Sequence, residues 1–494
     1  MFMIQYSTFK IQYSTFDIQY SFLQSISPSV HQSISPSVIA ISRTFRTFVV
    51  NELTNKLMGN YIGIRHEDKY EEERRAPLTP KHVERLVKHK KLDIVVETST
   101  KRIFSDREYT EAGATISNNL DDCSVIFGVK EIPEQYFQPE KTYVFFSHVI
   151  KGQKYNMPML QRMMELKCNL IEYEKIVDEQ GKRLIFFGRY AGMAGMINTF
   201  WSLGLRLKDM GFQTELLKIK QAHHYNSLKE AKDVISNVGE LIAENGIDPV
   251  FRPFVIGFTG YGNVSQGAQE ICGLLPVKEI SAEKLLSLHK RKHVPNNIAY
   301  KVVFKEEDLY ENIHGNPFDL HEYLLNPQDF RSKFEQYLPY LTVLINCVYW
   351  DKRFPRLVTR DYLEKQFKKG RCKLTVIGDI SCDVEGSVEC TLYPTVISDP
   401  VFIYNPLLRT ATSGHKGEGV VVMAVDILPA ELPRDSSDGF ADVLVNFVKP
   451  IADADFNEPF EDLDLPRAIK KGLILHKGEL TPEYKYLEEF LSDI

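Results

Sequence analysis

The sequence predicts an α/β protein: two parallel-sheet domains flanked by helices, with an active-site cleft between them. Three observations predict it. Short apolar runs alternate with helical stretches along most of the chain, an order that builds parallel sheets. A second such series opens near Pro253, after a long helical stretch from Arg189 to Met210. The chain has 494 residues, too many for one ordinary domain.

The elements follow in order. The first 50 residues stand apart: Ile4-Gln5-Tyr6-Ser7-Thr8-Phe9 recurs as Ile11 to Phe16, and Gln24 to Val30 recurs as Gln32 to Val38. These repeats are too few for a solenoid. With Asp17 the only acid before Asn51 and arginines at 43 and 46, the segment reads as a mitochondrial transit peptide, since import selects against acids. An untargeted, disordered tail in a cytoplasmic protein is the alternative, and a misplaced start codon would give the same pattern.

Folded sequence is expected from Tyr61. Strands are predicted at Tyr61 to Arg65, Asp93 to Glu97, Ser124 to Val129 and Thr142 to Phe146, with a helix from Pro80 to Lys88. The stretch from Arg189 opens with Ala191-Gly192-Met193-Ala194-Gly195, small residues that let a helix lie close against another backbone. The second series has expected strands at Phe254 to Phe258, Val277 to Ile280, Thr342 to Asn346, Leu374 to Ile380, Thr395 to Ile397 and Val420 to Val425. Ser281 to Gln336 is longer than an ordinary connection and is expected to carry an insertion. The expected division is 1–60, 61–195, 196–400, and a segment 401–494 that returns to the first domain.

Composition excludes several classes. A net charge of −6 argues against a broad nucleic-acid-binding surface. No apolar run approaches the roughly 20 residues of a membrane helix. The seven cysteines are scattered, with no C-x-x-C pair, so they read as reduced thiols and no metal site is expected.

Phe254 to Thr259 runs straight into Gly260-Tyr261-Gly262-Asn263-Val264-Ser265-Gln266-Gly267, after which Val264, Ala268, Ile271 and Leu275 recur at helical spacing. Strand, glycine turn and helix are the context of a dinucleotide fingerprint. Gly260 permits the turn, Gly262 clears the approach of the pyrophosphate, and the helix N-terminus offers N–H groups to it. Ser265 replaces the third glycine. The domains are therefore expected to be Rossmann-like. Glu279 lies where an acid would bind the ribose of NAD, while the basic run His289 to His293 would suit the 2′-phosphate of NADP; the residues leave both open.

Before residue 195 several segments set ionisable groups beside a helix start or an apolar run: Arg75 next to the helix start near Pro80, Lys130 after Phe127-Gly128-Val129, His148 and Lys151 after Phe145-Phe146-Ser147, Glu174 after Leu170-Ile171, and Arg183 before Leu184-Ile185. Strand carboxyl ends point into the ligand crevice of an open α/β sheet. Each group alone is an ordinary surface or core residue; their succession along one sheet points to a site.

From about Ile62 to Leu491 the chain resembles the lysine–2-oxoglutarate reductase half of the bifunctional aminoadipic semialdehyde synthases. The resemblance rests on Glu73-Arg74-Arg75-Ala76-Pro77-Leu78, Phe146-Ser147-His148, Ala191 to Asn198, Gly262 to Gln269, Leu344 to Trp350, Gly378 to Asp383 and Asp426 to Pro433. More distantly the chain is similar to fungal lysine-forming saccharopine dehydrogenases and to alanine dehydrogenase, so that 61–195 corresponds to a substrate domain.

The resemblance implies condensation of L-lysine with 2-oxoglutarate and reduction of the imine by NADPH, or NADH as the alternative, to saccharopine. It implies Lys130 and His148 as the acid–base pair, with the lysine pKa lowered by burial or by Arg75 and Lys151. It implies Arg75 and Arg183 as bidentate carboxylate clamps, and Lys151, Glu174 and Asp383 near the substrates. Gly260, Gly262, Asn263, Val264, Ser265, Glu279 and Asn346 are the expected cofactor contacts. The synthases continue into a second enzyme, whereas this chain stops at Ile494. The expectation is either a stand-alone reductase working beside a separate L-glutamate-forming saccharopine dehydrogenase, or an incomplete gene model. The alternatives are an NAD-linked enzyme running toward lysine, an alanine-dehydrogenase-like enzyme using ammonia, and a silent sensor, which would have no need of a proton-transfer pair.

Overall fold

The computed structural model describes residues 61–291 and 293–491. The N-terminal repeats, and with them the expected targeting segment, lie outside these residues.

Apolar runs bounded by turns give the first six strands: β1 (Tyr61–Ile64), β2 (Ile94–Glu97), β3 (Thr115–Ser117), β4 (Cys123–Phe127), β5 (Thr142–Phe145) and β6 (Asn169–Glu172). All pair in parallel. Strands buried on both faces read as continuous apolar stretches, and β5 is buried along its whole length. β1 sits between β2 and β4. The strand order reverses there, which opens a crevice at the carboxyl ends of β1 and β4. Helix α1 (Pro80–Lys90) starts on a proline, which suits a first helical turn, and buries His82, Val83 and Leu86.

The second sheet comprises β7 (Val255–Thr259), β8 (Val277–Glu279), β9 (Ala299–Phe304), β12 (Val343–Asn346), β13 (Val376–Asp379), β14 (Val401–Asn405), β15 (Thr410–Ser413) and β16 (Val420–Met423). Its order is β15-β14-β16-β13-β12-β7-β9-β8, parallel except for β14 and β15. It too has a switch point, between β7 and β12. The expected insertion contains β9 and a separate hairpin of β10 (Tyr310–Asn312) and β11 (Phe330–Ser332).

Two helices join at right places for the cofactor turn: α2 (Gly188–Asp209) and α3 (Asn263–Cys272). The expectation of close helix approach holds to atomic contact. A Cβ on Gly192 would lie 1.9 Å from the Val264 carbonyl oxygen, and one on Gly267 would lie 2.0 Å from that of Arg189.

The chain then returns through α4 (Pro433–Asp453) to add β17 (Leu473–His476) and β18 (Glu479–Leu480) to the first sheet. β17 runs antiparallel to β6, and the full order is β18-β17-β6-β5-β4-β1-β2-β3. One apolar core fills the first lobe, and two cover the faces of the second sheet.

Three expectations need correction. Thr395 to Ile397 is not a strand; prolines at 394 and 400 bracket it, and Asp399 turns back on Val396. The strand beyond it, β14, was missed. The expected boundary at 195 falls inside α2, and the one at 400 falls inside the second sheet, since β14 to β16 belong to it. Only the part from α4 onward returns to the first lobe.

Candidate active site

The carboxyl ends of both sheets face one cavity of about 470 Å³. From the first lobe it is lined by Arg75, Lys130, His148, Glu174 and Arg183, and from the second by Gly262, Asn263, Val264 and Asp426. The sequence-predicted acid–base residues and the glycine turn therefore share one space.

Lys130 follows β4, and its backbone is fixed from β1's side. The buried Glu67 carboxylate accepts the Val129 N–H at 2.7 Å and the Lys130 N–H at 2.8 Å. Burial pushes Glu67 up to about 7, against the pull of Arg65. The Lys130 ammonium is itself held below the ordinary lysine value by burial first and then by Arg75; Glu131, Glu73 and Asp426 oppose the shift.

His148 follows β5 in a left-handed conformation, φ +50°, which a non-glycine residue adopts only when its surroundings enforce it. They do. Glu172, buried at the end of β6, accepts the N–H groups of Ser147 at 2.7 Å and His148 at 3.1 Å, while the Asn156 amide donates to both carbonyls. The imidazole Nδ1 lies 2.8 Å from Glu131 Oε1, which also meets Lys69 Nζ at 2.5 Å. Burial would raise Glu131, but His148 and Lys69 outweigh it and hold the carboxyl down at about 2. An ionised partner on Nδ1 fixes the ring and leaves Nε2 for the cavity.

Arg75 is buried and spends its fork on Glu73: Nε donates to Oε1 at 2.8 Å and Nη2 to Oε2 at 2.5 Å. Glu73 takes the Nε edge of the fork, which leaves the Nη1 and second Nη2 N–H groups at its far end for a carboxylate. The guanidinium lies 4.2 Å over the Phe187 ring, which stacks on Phe440 at 4.4 Å. Arg183 pairs with Glu174 at 2.8 Å and is half exposed.

The glycine turn fits a nicotinamide dinucleotide. Gly260 has φ +82°, in the region open to glycine. Nothing lies within 4 Å of where a Cβ on Gly262 would sit. The first turn of α3 carries no acid, so its free N–H groups meet an anion unopposed.

Other expected residues lie elsewhere. Lys151 does not line the cavity; it acts on Asp383, offsetting the burial that raises that carboxyl, and sits 6.0 Å from the Tyr349 ring. The Ser265 side chain is fully buried and accepts from Gln269, so only its backbone N–H, in the first turn of α3, is left for a ligand. Gly267, not position 265, is where helix packing demands glycine. Glu279 ends β8 as expected but pairs with Lys301 at 2.7 Å. Asn346 is corrected outright. Its amide donates to Asp379 and Ser387, both at 2.8 Å, and its oxygen accepts from Thr259 at 2.7 Å. It ties β7, β12 and β13 together, with no donor left for a cofactor. The sequence reading missed the positioning carboxylates Glu67, Glu131 and Glu172, and also Asp426. Each follows or ends an apolar run, the same signal that singled out Lys130.

Among the described residues no helix is long and apolar enough to cross a membrane. The family "Alanine dehydrogenase/PNT, N-terminal domain" matches residues 63–194, and "Alanine dehydrogenase/PNT, C-terminal domain" matches 327–483. The chain is 39% identical over 456 residues to an Arabidopsis thaliana alpha-aminoadipic semialdehyde synthase, covering 88% of this chain and 42% of the relative. It is 33% identical to the Bos taurus protein named alpha-aminoadipic semialdehyde synthase, mitochondrial, covering 87% and 47%. It is 23% identical to a Yarrowia lipolytica saccharopine dehydrogenase [NAD(+), L-lysine-forming], covering 76% and 87%. The chain thus spans less than half the length of these synthases. An L-alanine dehydrogenase structure shares the fold at TM-score 0.54 and 18% identity, covering 87% of this chain and 99% of that one. With both matched domains in order on one chain, and that fold around the cavity, the chain belongs to the alanine dehydrogenase/PNT family of oxidoreductases, as a relative of the saccharopine-forming enzymes.

Proposed function

We propose that this chain is a lysine–2-oxoglutarate reductase, which condenses L-lysine with 2-oxoglutarate and reduces the imine to saccharopine in lysine degradation. The observation that carries the reading is the meeting, in one cavity, of a lysine with depressed basicity, a histidine backed by a carboxylate, two arginines and the glycine turn.

Condensation needs a neutral amine, a proton for the departing hydroxyl and a site that holds carboxylates. Lys130, less basic than an ordinary lysine, takes the proton from the substrate ε-ammonium. His148 Nε2, with Nδ1 anchored on Glu131, exchanges protons at the keto oxygen as the carbinolamine forms and collapses. The free Nη1–Nη2 end of Arg75 and Arg183 bind carboxylates, and Asp426 offers a negative charge for an amine. The nicotinamide cofactor, held at Gly260, Gly262, Asn263 and Val264, supplies hydride when bound.

We read the preferred cofactor as NADP. Glu279, the residue expected to favour NAD, is already paired with Lys301 and so presents little net charge against a 2′-phosphate. The mitochondrial matrix is the proposed location, supported by the naming of the mammalian relatives. Saccharopine made here would pass to an L-glutamate-forming saccharopine dehydrogenase.

The test is oxidation of NADPH or NADH by the purified protein with lysine and 2-oxoglutarate, product identified by mass. No oxidation of either cofactor overturns the reading; equal oxidation with ammonia and pyruvate instead moves it to the alanine-dehydrogenase type.

A further inference from the structure

The loop that carries His148 is held from two sides. Upstream, Glu172 and Asn156 fix Ser147 and His148. Downstream, Val149 is buried in the core, and the backbone of Ile150 to Gly152 meets the turn that ends the described chain, Pro482–Leu487 and α5 (Glu488–Leu491). Tyr484 and Leu487 anchor that turn: both are buried, and the Tyr484 hydroxyl donates to the Lys471 carbonyl at 2.6 Å. The residues between and beyond them reach the loop. The Tyr486 hydroxyl donates to the Ile150 carbonyl at 2.7 Å. The Phe490 ring lies on Gly152 so closely that a Cβ there would fall 2.3 Å from its Cδ1.

Gly152 has φ +62° and donates its N–H to the Val149 carbonyl at 2.9 Å. The loop therefore makes two left-handed turns, at His148 and Gly152, within five residues. A non-glycine residue relaxes out of that region unless its neighbours on both sides forbid it. Glu172 and Asn156 supply one side, and Tyr486 and Phe490 the other.

We propose that Tyr486 and Phe490 are positioning residues of the active site: by holding Ile150 to Gly152 they set the approach of His148 to the cavity. This rests on the reading of His148 as a proton-transfer group. Simple packing is a poor account of them. Tyr486 is 42% exposed and Phe490 38% exposed, so neither is a core residue. The Tyr486 hydroxyl and the Phe490 ring both meet backbone of that one loop.

The experiment compares the full chain with Tyr486→Phe, Phe490→Ala, the double variant and Phe490→Leu. The double variant is expected to lose about tenfold in kcat, a part of the roughly hundred- to ten-thousandfold that a well-placed acid–base group contributes. Its KM for the nicotinamide cofactor, which is bound by the other lobe, stays within about twofold, and its thermal midpoint stays near that of the parent. Phe490→Leu, which still covers Gly152, recovers most of the rate. Amide hydrogen exchange at Ile150 to Gln153 is expected to quicken about tenfold or more in the double variant. Unchanged exchange in that loop, or quickened exchange with kcat unchanged, overturns the proposal. So does a fall in rate explained by loss of folded protein. An inactive parent overturns the lysine reading instead, and the exchange measurement then decides alone whether the turn holds the loop.

Discussion

Replacing Glu67 by glutamine should remove a pH dependence from the stability of the first lobe. Glu67 is buried, titrates at about 7, and binds two backbone N–H groups at the root of Lys130. Its ordinary value is 4.5, so the folded chain holds its proton more tightly than the unfolded one. Stability is then intact below pH 4.5 and is lost as pH rises toward 7. The full loss is about 3.5 kcal/mol at roughly 1.4 kcal/mol per unit, and about 2.5 kcal/mol of it falls between pH 5 and 8. Glutamine cannot ionise. It keeps one acceptor for two N–H groups, which costs about 1–3 kcal/mol at every pH. The constant cost cancels when the difference between parent and variant is compared at pH 5 and pH 8. For a lobe of this size that comparison amounts to roughly 5–10 °C in thermal midpoint, with the parent losing ground as pH rises. Scanning calorimetry of both proteins across this range reads it directly. A difference that stays constant with pH, or grows the other way, refutes the assignment of a protonated Glu67 to the folded state.

Three further outcomes follow from the site. Lys130→Met is expected to lower kcat by about a hundredfold or more with nicotinamide binding, read by fluorescence, unchanged. Arg75→Lys leaves the buried Glu73 without its matching fork; we expect KM for 2-oxoglutarate to rise about tenfold, with a stability loss of about 1–3 kcal/mol in denaturant titration. Gly262→Ala and Gly267→Ala should separate cleanly. The first meets open space and weakens cofactor binding at unchanged thermal midpoint. The second drives a methyl into the Arg189 carbonyl and lowers the midpoint through overpacking of about 1–3 kcal/mol or more.

The central strands were legible because buried parallel strands are uninterrupted apolar runs: β4, β5, β7, β12 and β16 all read directly. β9 was not, since Lys301 breaks its run and it lay inside what looked like an insertion. β17 was hidden for another reason, because its partner β6 lies some 300 residues earlier (Leu475 beside Leu170) and no local pattern reports that pairing. Lys130, His148 and the glycine turn were readable as motif residues. Asn346 was misread because a motif shows a residue type and not where its amide points, and here it points into a saturated network beneath the site. The demand for glycine at 267 was invisible for the same reason; it arises from Arg189 on another helix.

The interrupted make-up of the first lobe has a consequence for synthesis. Its sheet needs β17 and β18, which leave the ribosome only after the whole second sheet has emerged. Until then β6 has an open edge bearing Leu170 and Ile171, the kind of edge that pairs with neighbouring chains. The second lobe, continuous from α2 to β16, is free to fold first. The lobe translated earliest is therefore completed last, and its nascent β6 edge is where a holding chaperone would be needed.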